Sequence, residues 1–220
     1  TFIINGVERV IVPQLARSYG IIFTSQIVKG HNTFGAKVIP ARGAWVELET
    51  DQDDIVYIRI DRNRKFPITS WLRIMGLSTD EKILALFKKN EKVLAAIKKT
   101  LEKDSVKTVE EAYTDIYKRL RDGDLATLEN AREFIDSILS EARYDLSEVG
   151  RFKFNSRFSL ATDKKSLSIR TLTTDDFAVI INHMITLNHT PGSEADDIDH
   201  LGSRRVRYVG ELLQQKLRTG

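Results

Sequence analysis

Residues 194–207 read EADDIDHLGSRRVR, in which Glu194, Asp196, Asp197, Asp199 and His200 are followed, after Gly202, by Arg204, Arg205 and Arg207. Three chemistries use such a set. Carboxylate oxygens and an imidazole suit a hard cation, but the spacing lacks the alternating ligands, central glycine and late glutamate of an EF-hand loop, and three arginines would oppose a cation. Alternatively, the aspartates pair with the arginines as a loop-fixing network, which is worth little at a surface. In the third, guanidinium forks match phosphate or guanine O6 and N7, while a carboxylate accepts hydrogen bonds from base amino groups. A clamp that held phosphates alone would gain nothing from the aspartates, because each repels the backbone.

Trp45, in ARGAWVELE beside Arg42 and Gly43, is either a core indole or a platform for an unpaired base, a contact worth roughly 1 to 3 kcal/mol. From Arg151 to Arg170 six basic residues (Arg151, Lys153, Arg157, Lys164, Lys165, Arg170) face one acid, Asp163, a local excess of five that suits an anionic partner. Catalytic motifs are absent: no G-x-S-x-G, H-E-x-x-H or P-loop occurs, and His31, His183, His189 and His200 have no cysteine to pair with. His183 lies in an apolar helical stretch and reads as a core or edge residue, not a base.

The elements that must position these residues change character along the chain. TFIINGVERVIV sets Asn5-Gly6 between two β-branched runs, a type I′ hairpin signal. GIIFTSQIV, AKVIPARGAWVELET and DIVYIRID continue as an antiparallel meander. After Pro67 the period becomes helical: ITSWLRIMG ends at Gly76, and STDEKILALF opens with a cap and acids. Val109, Ala112, Tyr113, Ile116, Tyr117 and Leu120 form one helical stripe, and Leu125, Leu128, Ala131, Ile135, Ile138 and Leu139 another, joined by a turn at Arg121–Asp124. TTDDFAVIINHMITLNHT is a helix capped by Thr173 or Thr174, PGSEADD breaks it, and RRVRYVGELLQQKL starts a last helix. Strands first and helices after give an α+β fold.

With 220 residues, 41% hydrophobic and 30% charged, the chain can bury a core as one large or two small domains, which excludes disorder of the whole. The lack of cysteine excludes disulfides and thiolate metal sites and suits a reducing cytoplasm. No apolar run approaches the roughly 20 residues that span a bilayer, so no membrane is expected. A net charge of +3 permits an anionic partner. The chain starts at Thr1 inside a β-like run and stops within a helical one, so a fragment is expected.

TFIINGVERVIVPQLARS, RIDRNRKFP, ARYDLSEVGRFKFN and DDIDHLGSRRVRYVGELLQQKLRTG resemble, in this order and over nearly the whole chain, segments of the bacterial DNA-directed RNA polymerase β subunit. The resemblance implies that 1–18 and 196–220 are protrusion and root segments next to the active-centre cleft, and that 19–195 is the lobe in a compact form. Lobe and protrusion would form a jaw that holds downstream DNA. The whole enzyme is a nucleotidyltransferase, whereas this fragment would carry no catalytic residue and no cofactor, the Mg²⁺ being held by the other large subunit.

Residue by residue, Arg17, Ile198, Asp199 and Arg204 match the family pocket that receives a flipped non-template guanine. Trp45 matches the tryptophan that stacks on the neighbouring base, and Arg9, Val12 and Gln14 match the rim of the rifamycin pocket. The implied partners are DNA, the remaining β segments, β′ and α subunits, sigma and transcription factors, in a bacterial cytoplasm. Tyr19 replaces a usual proline, Pro13 a serine and Ser203 an asparagine; RLRDGDLATLENA lacks a usual Pro-Pro. Losing the proline frees φ in the turn that aims Arg17. Two other readings stay open: a docking module for transcription factors without DNA contact, and, last, a Mg²⁺-dependent nuclease built on the Asp/His cluster.

Overall fold

Asn5 and Gly6 hold φ of 52° and 76°, the left-handed pair that a type I′ turn needs. They join β1 (Phe2–Ile4) to β2 (Val7–Arg9), registered Phe2↔Arg9 and Ile4↔Val7. Strand β3 (Gln14–Arg17) follows. The structure, a computed structural model, describes residues 1–28, 30–121 and 127–219. The chain forms two compact units, Tyr19–Asp196 and a smaller one of Thr1–Ser18 with Asp197–Gly220.

In the larger unit β4 (Gly20–Val28), β5 (His31–Ile39), β6 (Val46–Thr50), β7 (Val56–Ile60) and β8 (Phe66–Pro67) make one antiparallel sheet in sequence order. Strand alternation sorts its two faces. The register places Phe23, Ala36, Leu48, Ile58 and Phe66 in one row across the sheet, and all five are buried. The neighbouring row, Ile22, Lys37, Glu47 and Arg59, lies on the other face, where Lys37 pairs with Glu47 at 3.4 Å and Glu49 with Arg59 at 3.3 Å. A one-residue slip would exchange the rows and bury the charges, so the register is fixed.

The helices are α1 (Ile68–Ile74), α2 (Asp80–Phe87), α3 (Glu91–Lys103), α4 (Val109–Leu120), α5 (Leu128–Ile138), α6 (Ser147–Arg157), α7 (Lys164–Ser168) and α8 (Thr174–Asn188). Caps explain their starts: the Thr79, Asn90, Thr108, Thr127, Asp163 and Thr173 side chains each accept a first-turn N–H. Gly76, at φ 104°, ends α1 as its sequence predicts. Ala112, Tyr113, Ile116 and Tyr117 of α4 and Ala131 and Ile135 of α5 are buried, as the periodicity requires. Leu125 and the turn at 121–124, Arg121 excepted, lie outside the described residues. Helix α8 is locked to the sheet at its end, where Asn188 accepts from Phe34 N at 2.7 Å and donates to Thr50 Oγ1 at 2.9 Å.

Two expectations need correction. RRVRYVGELLQQKL is not one helix: Arg204–Arg207 is strand β9, and α9 spans Val209–Thr219. Tertiary pairing with β3 overrides the local helical pattern there. The basic run 151–170 is also less available than its composition suggests. Arg151 is buried against Asp176, with Nη1···Oδ1 2.8 Å and Nη2···Oδ2 3.0 Å, while Arg157 pairs with Asp196 and Arg170 with Asp145.

Candidate nucleic-acid interface

The smaller unit is built on the β3–β9 ladder, which joins the two ends of the sequence in antiparallel register: Gln14↔Arg207, Leu15↔Val206, Ala16↔Arg205 and Arg17↔Arg204. Ser18 N donates to Ser203 O at 2.9 Å and extends it. Because side chains alternate, the ribbon has two faces. One carries Arg205 and Arg207; the other carries Arg17, Leu15, Arg204 and Val206.

Both arginines of the first face engage one carboxylate. Glu211, in the first turn of α9, takes a fork-to-fork pair from Arg205, with Nη1···Oε2 and Nη2···Oε1 both 2.7 Å, and a third bond from Arg207 Nε at 3.2 Å. The hydrogen bonds from Arg205, then the charges of Arg205 and Arg207, hold the Glu211 carboxyl below its usual range. Sequence reading missed this residue. The signal was present, since Glu211 stands four after Arg207, but it becomes meaningful only once the arginines are on a strand and the acid on a helix.

On the second face Arg17 is exposed and has no side-chain hydrogen bond or ion pair among the described residues. Opposite it, the nearest carboxylate to Arg204 Nη1 is Asp199 Oδ1 at 4.0 Å, and the Asp199 side chain is 84% exposed. Ile198, next to Asp199, is half-buried. The three-aspartate, three-arginine network therefore does not form: Asp196 accepts from Phe23 N and pairs with Arg157 in the larger unit. Asp197 Oδ1 accepts from Asp199 N at 2.9 Å and His200 N at 3.2 Å. On this face the exposed Asp199 carboxylate stands near the half-buried Arg204, with the exposed Arg17 opposite Arg204.

His200 Nδ1 accepts from Gly202 N at 3.0 Å, which puts the proton of its neutral ring on Nε2 and caps the 3-10 turn Leu201–Ser203. Two of the sequence's cation donors, Asp197 and His200, are thus turned onto nearby backbone N–H groups. No group of three His, Asp or Glu side chains gathers at metal-binding distance among the described residues.

The other candidates are placed as follows. Trp45, at the entry to β6, is half-buried, its ring covered on one side by the Arg62 guanidinium 5.6 Å from the centroid. The fully buried tryptophan is Trp71. Gly43, at φ 109°, shapes the loop before Trp45; a Cβ there would lie 2.9 Å from Arg143 O. Arg9, Val12 and Gln14 are exposed along β2, the following link and β3. His183 packs between the Phe23 and Phe158 rings with its Nε2 buried and unpartnered, and burial lowers its pKa.

These placements can be set beside known proteins. The profile of the family described as RNA polymerase Rpb2, domain 2, matches residues 17–207, beginning and ending on the β3–β9 ladder. Over its whole length the chain is 44% identical to the DNA-directed RNA polymerase subunit beta of Syntrophomonas wolfei, covering 19% of that protein. It is 44% identical to the same subunit of Clavibacter michiganensis, covering 20% of it, and 43% identical to that of Trichormus variabilis, covering 19%. The chain spans about a fifth of the length of these relatives. With the profile running through the entire larger unit and into both strands of the ladder, the chain belongs to the RNA polymerase Rpb2, domain 2, family.

Proposed function

We propose that this chain is part of the β subunit of a bacterial DNA-directed RNA polymerase and works in the cytoplasm as a jaw on downstream DNA, where Arg17, Ile198, Asp199 and Arg204 receive a non-template guanine. The single observation that supports this reading is the Arg17↔Arg204 pairing with Asp199 exposed beside it. Two like charges directly opposite one another destabilise a ladder, and a bound phosphate or base oxygen would relieve that repulsion.

The chemistry favours guanine for a definite reason. A carboxylate is acceptor-only and reads adjacent donors, and the guanine edge offers two, N1–H and N2–H. Adenine presents the N1 acceptor towards the same carboxylate, and thymine offers a single N–H flanked by carbonyls. Arg17 and Arg204 then serve O6 or the backbone, and Ile198 covers the ring. Trp45, in the larger unit, has the separate role of stacking on an unpaired base, and Arg9, Val12 and Gln14 lie along the RNA path at a rifamycin rim. Nucleotidyl transfer, with its Mg²⁺ on the other large subunit, belongs to the assembly with the remaining β segments, β′, α, sigma and transcription factors.

The test is anisotropy of short single-stranded DNA carrying guanine, inosine or adenine at one position. Guanine should bind best, inosine, which lacks the N2 amino group, should fall between, and Asp199→Ala should make the three alike. Equal affinities for all three bases with the unaltered chain would sink the guanine reading. Failure of the chain to complete an active enzyme with the other segments would sink the β-subunit assignment.

A further inference from the structure

Six large hydrophobic side chains are exposed between Tyr19 and Asp196 among the described residues, and four of them, Val149, Phe152, Leu160 and Ile169, lie in the α6–α7 segment. Helix α6 buries Gly150, Arg151, Phe154 and Asn155. Val149, Phe152 and Ser156, at helical spacing, take the opposite, solvent-facing stripe. Phe152 is 49% and Val149 56% exposed. An aromatic ring kept half in water on a helix pinned from behind by a buried ion pair is not a misplaced core residue, since the Arg151–Asp176 contact forbids α6 to roll.

The chain after α6 folds back on it. Leu160 N donates to Asn155 O at 2.8 Å, Asn155 Nδ2 to Ala161 O at 2.6 Å, and Arg151 Nε to Ile169 O at 2.6 Å. This brings α7 and its two exposed lysines, Lys164 and Lys165, onto the same local structure. Neither lysine makes an ion pair among the described residues, whereas Arg151, Arg157 and Arg170 each have an acid. Asp163, the remaining acid, is engaged in capping α7.

We infer that the α6–α7 surface is a docking site for an acidic amphipathic helix of a partner protein, whose apolar stripe covers Val149 and Phe152 and whose carboxylates meet Lys164 and Lys165. Charge complementarity selects the sign of the partner, and the exposed aromatic selects its class. A nucleic-acid backbone would satisfy the lysines and leave Phe152 in water. A membrane needs a helix free to bury one whole face, and the inner face of α6 is already committed to the core. Aromatic anchors ringed by polar contacts are the usual centres of helix-in-groove recognition. The inference is independent of the guanine reading, which concerns the other unit.

The experiment uses the full chain and a synthetic helical peptide of about 18 residues with leucine at i, i+3, i+4 and i+7 and glutamate at the exposed positions. A peptide with lysine for each glutamate is the control. The acidic peptide should bind with Kd on the order of 10–100 µM, the basic peptide should not, and Phe152→Ser should weaken binding about tenfold. Lys164→Glu with Lys165→Glu should weaken it similarly and flatten its salt dependence. Equal binding of both peptides, or binding indifferent to Phe152→Ser, overturns the proposal. So does Phe152-dependent binding to vesicles of phosphatidylserine, or Phe152-dependent self-association of the chain, with the acidic peptide inert. Phe152 is half-exposed, so its loss leaves the fold intact, and the lysine variants supply a second, surface-only readout.

Discussion

Arg17 and Arg204 stand directly opposite one another across the β3–β9 ladder, on the face away from Glu211, while their strand neighbours Arg205 and Arg207 share that carboxylate on the other side. The adjacent residues Arg204 and Arg205 are thus split between a face that lacks the Glu211 carboxylate and one that engages it. Arg17→Gln should slow amide exchange across the ladder by removing a cross-strand repulsion of about 0.2–1 kcal/mol. The same variant should lower the slope of log Kd against log salt for single-stranded DNA by about one unit. An unchanged slope would remove Arg17 from the interface.

Trp45 and Trp71 differ in exposure, the first half-buried and the second 2% exposed. Acrylamide should therefore quench one component of the intrinsic fluorescence, and Trp45→Phe should abolish that component. Oligonucleotide binding should quench the same component. Quenching that survives Trp45→Phe would assign stacking elsewhere.

Gly43 holds φ 109°, and an added Cβ would meet Arg143 O and Tyr144 Cδ2, both at 2.9 Å. Both contacts are with rigid groups. Gly43→Ala should cost about 1–3 kcal/mol in urea denaturation and red-shift the emission of Trp45 by loosening its loop.

The buried pair Arg151–Asp176 also carries the capping box of α8, since Asp176 Oδ2 accepts from Thr173 N at 2.8 Å. Asp176→Ala leaves a guanidinium buried without its anion and should destabilise the larger unit by about 3–5 kcal/mol. Pairing it with Arg151→Met should restore much of that loss, because the uncompensated charge is then gone. Denaturant midpoints of the two variants decide this.

Glu211 has its pKa held below the ordinary 4.5, first by hydrogen bonds from Arg205. A depressed carboxyl contributes stability that is present above the unfolded value and lost as pH falls through the folded one. Amide protection in Arg204–Arg207 should therefore be constant above about pH 5 and decline in the acid range below 4.5. Glu211→Gln should already show the low protection at neutral pH, and salt should mimic part of the effect because the side chain is 38% exposed.

The amino-acid sequence by itself determined the local structure wherever the physics is local. Asn5-Gly6 dictates its turn, Thr108 and Thr173 their helix starts, and the alternation of Phe23, Ala36, Leu48 and Ile58 against Lys37, Glu47 and Arg59 the two faces of the sheet. Four ordered motifs also carried the family. Tertiary structure alone decided which charges remain available. Arg204–Arg207 reads as helix until β3, almost two hundred residues earlier, pairs with it, and that register assigns Arg204 to one face and Arg205 to the other. Ion pairs are chosen by distance in space, so Asp196 turned to Arg157 and Arg205 to Glu211, leaving Asp199 4.0 Å from Arg204, the residue paired with Arg17 across the ladder. Composition counts such charges equally, and only folding distinguishes a spent one from an open one.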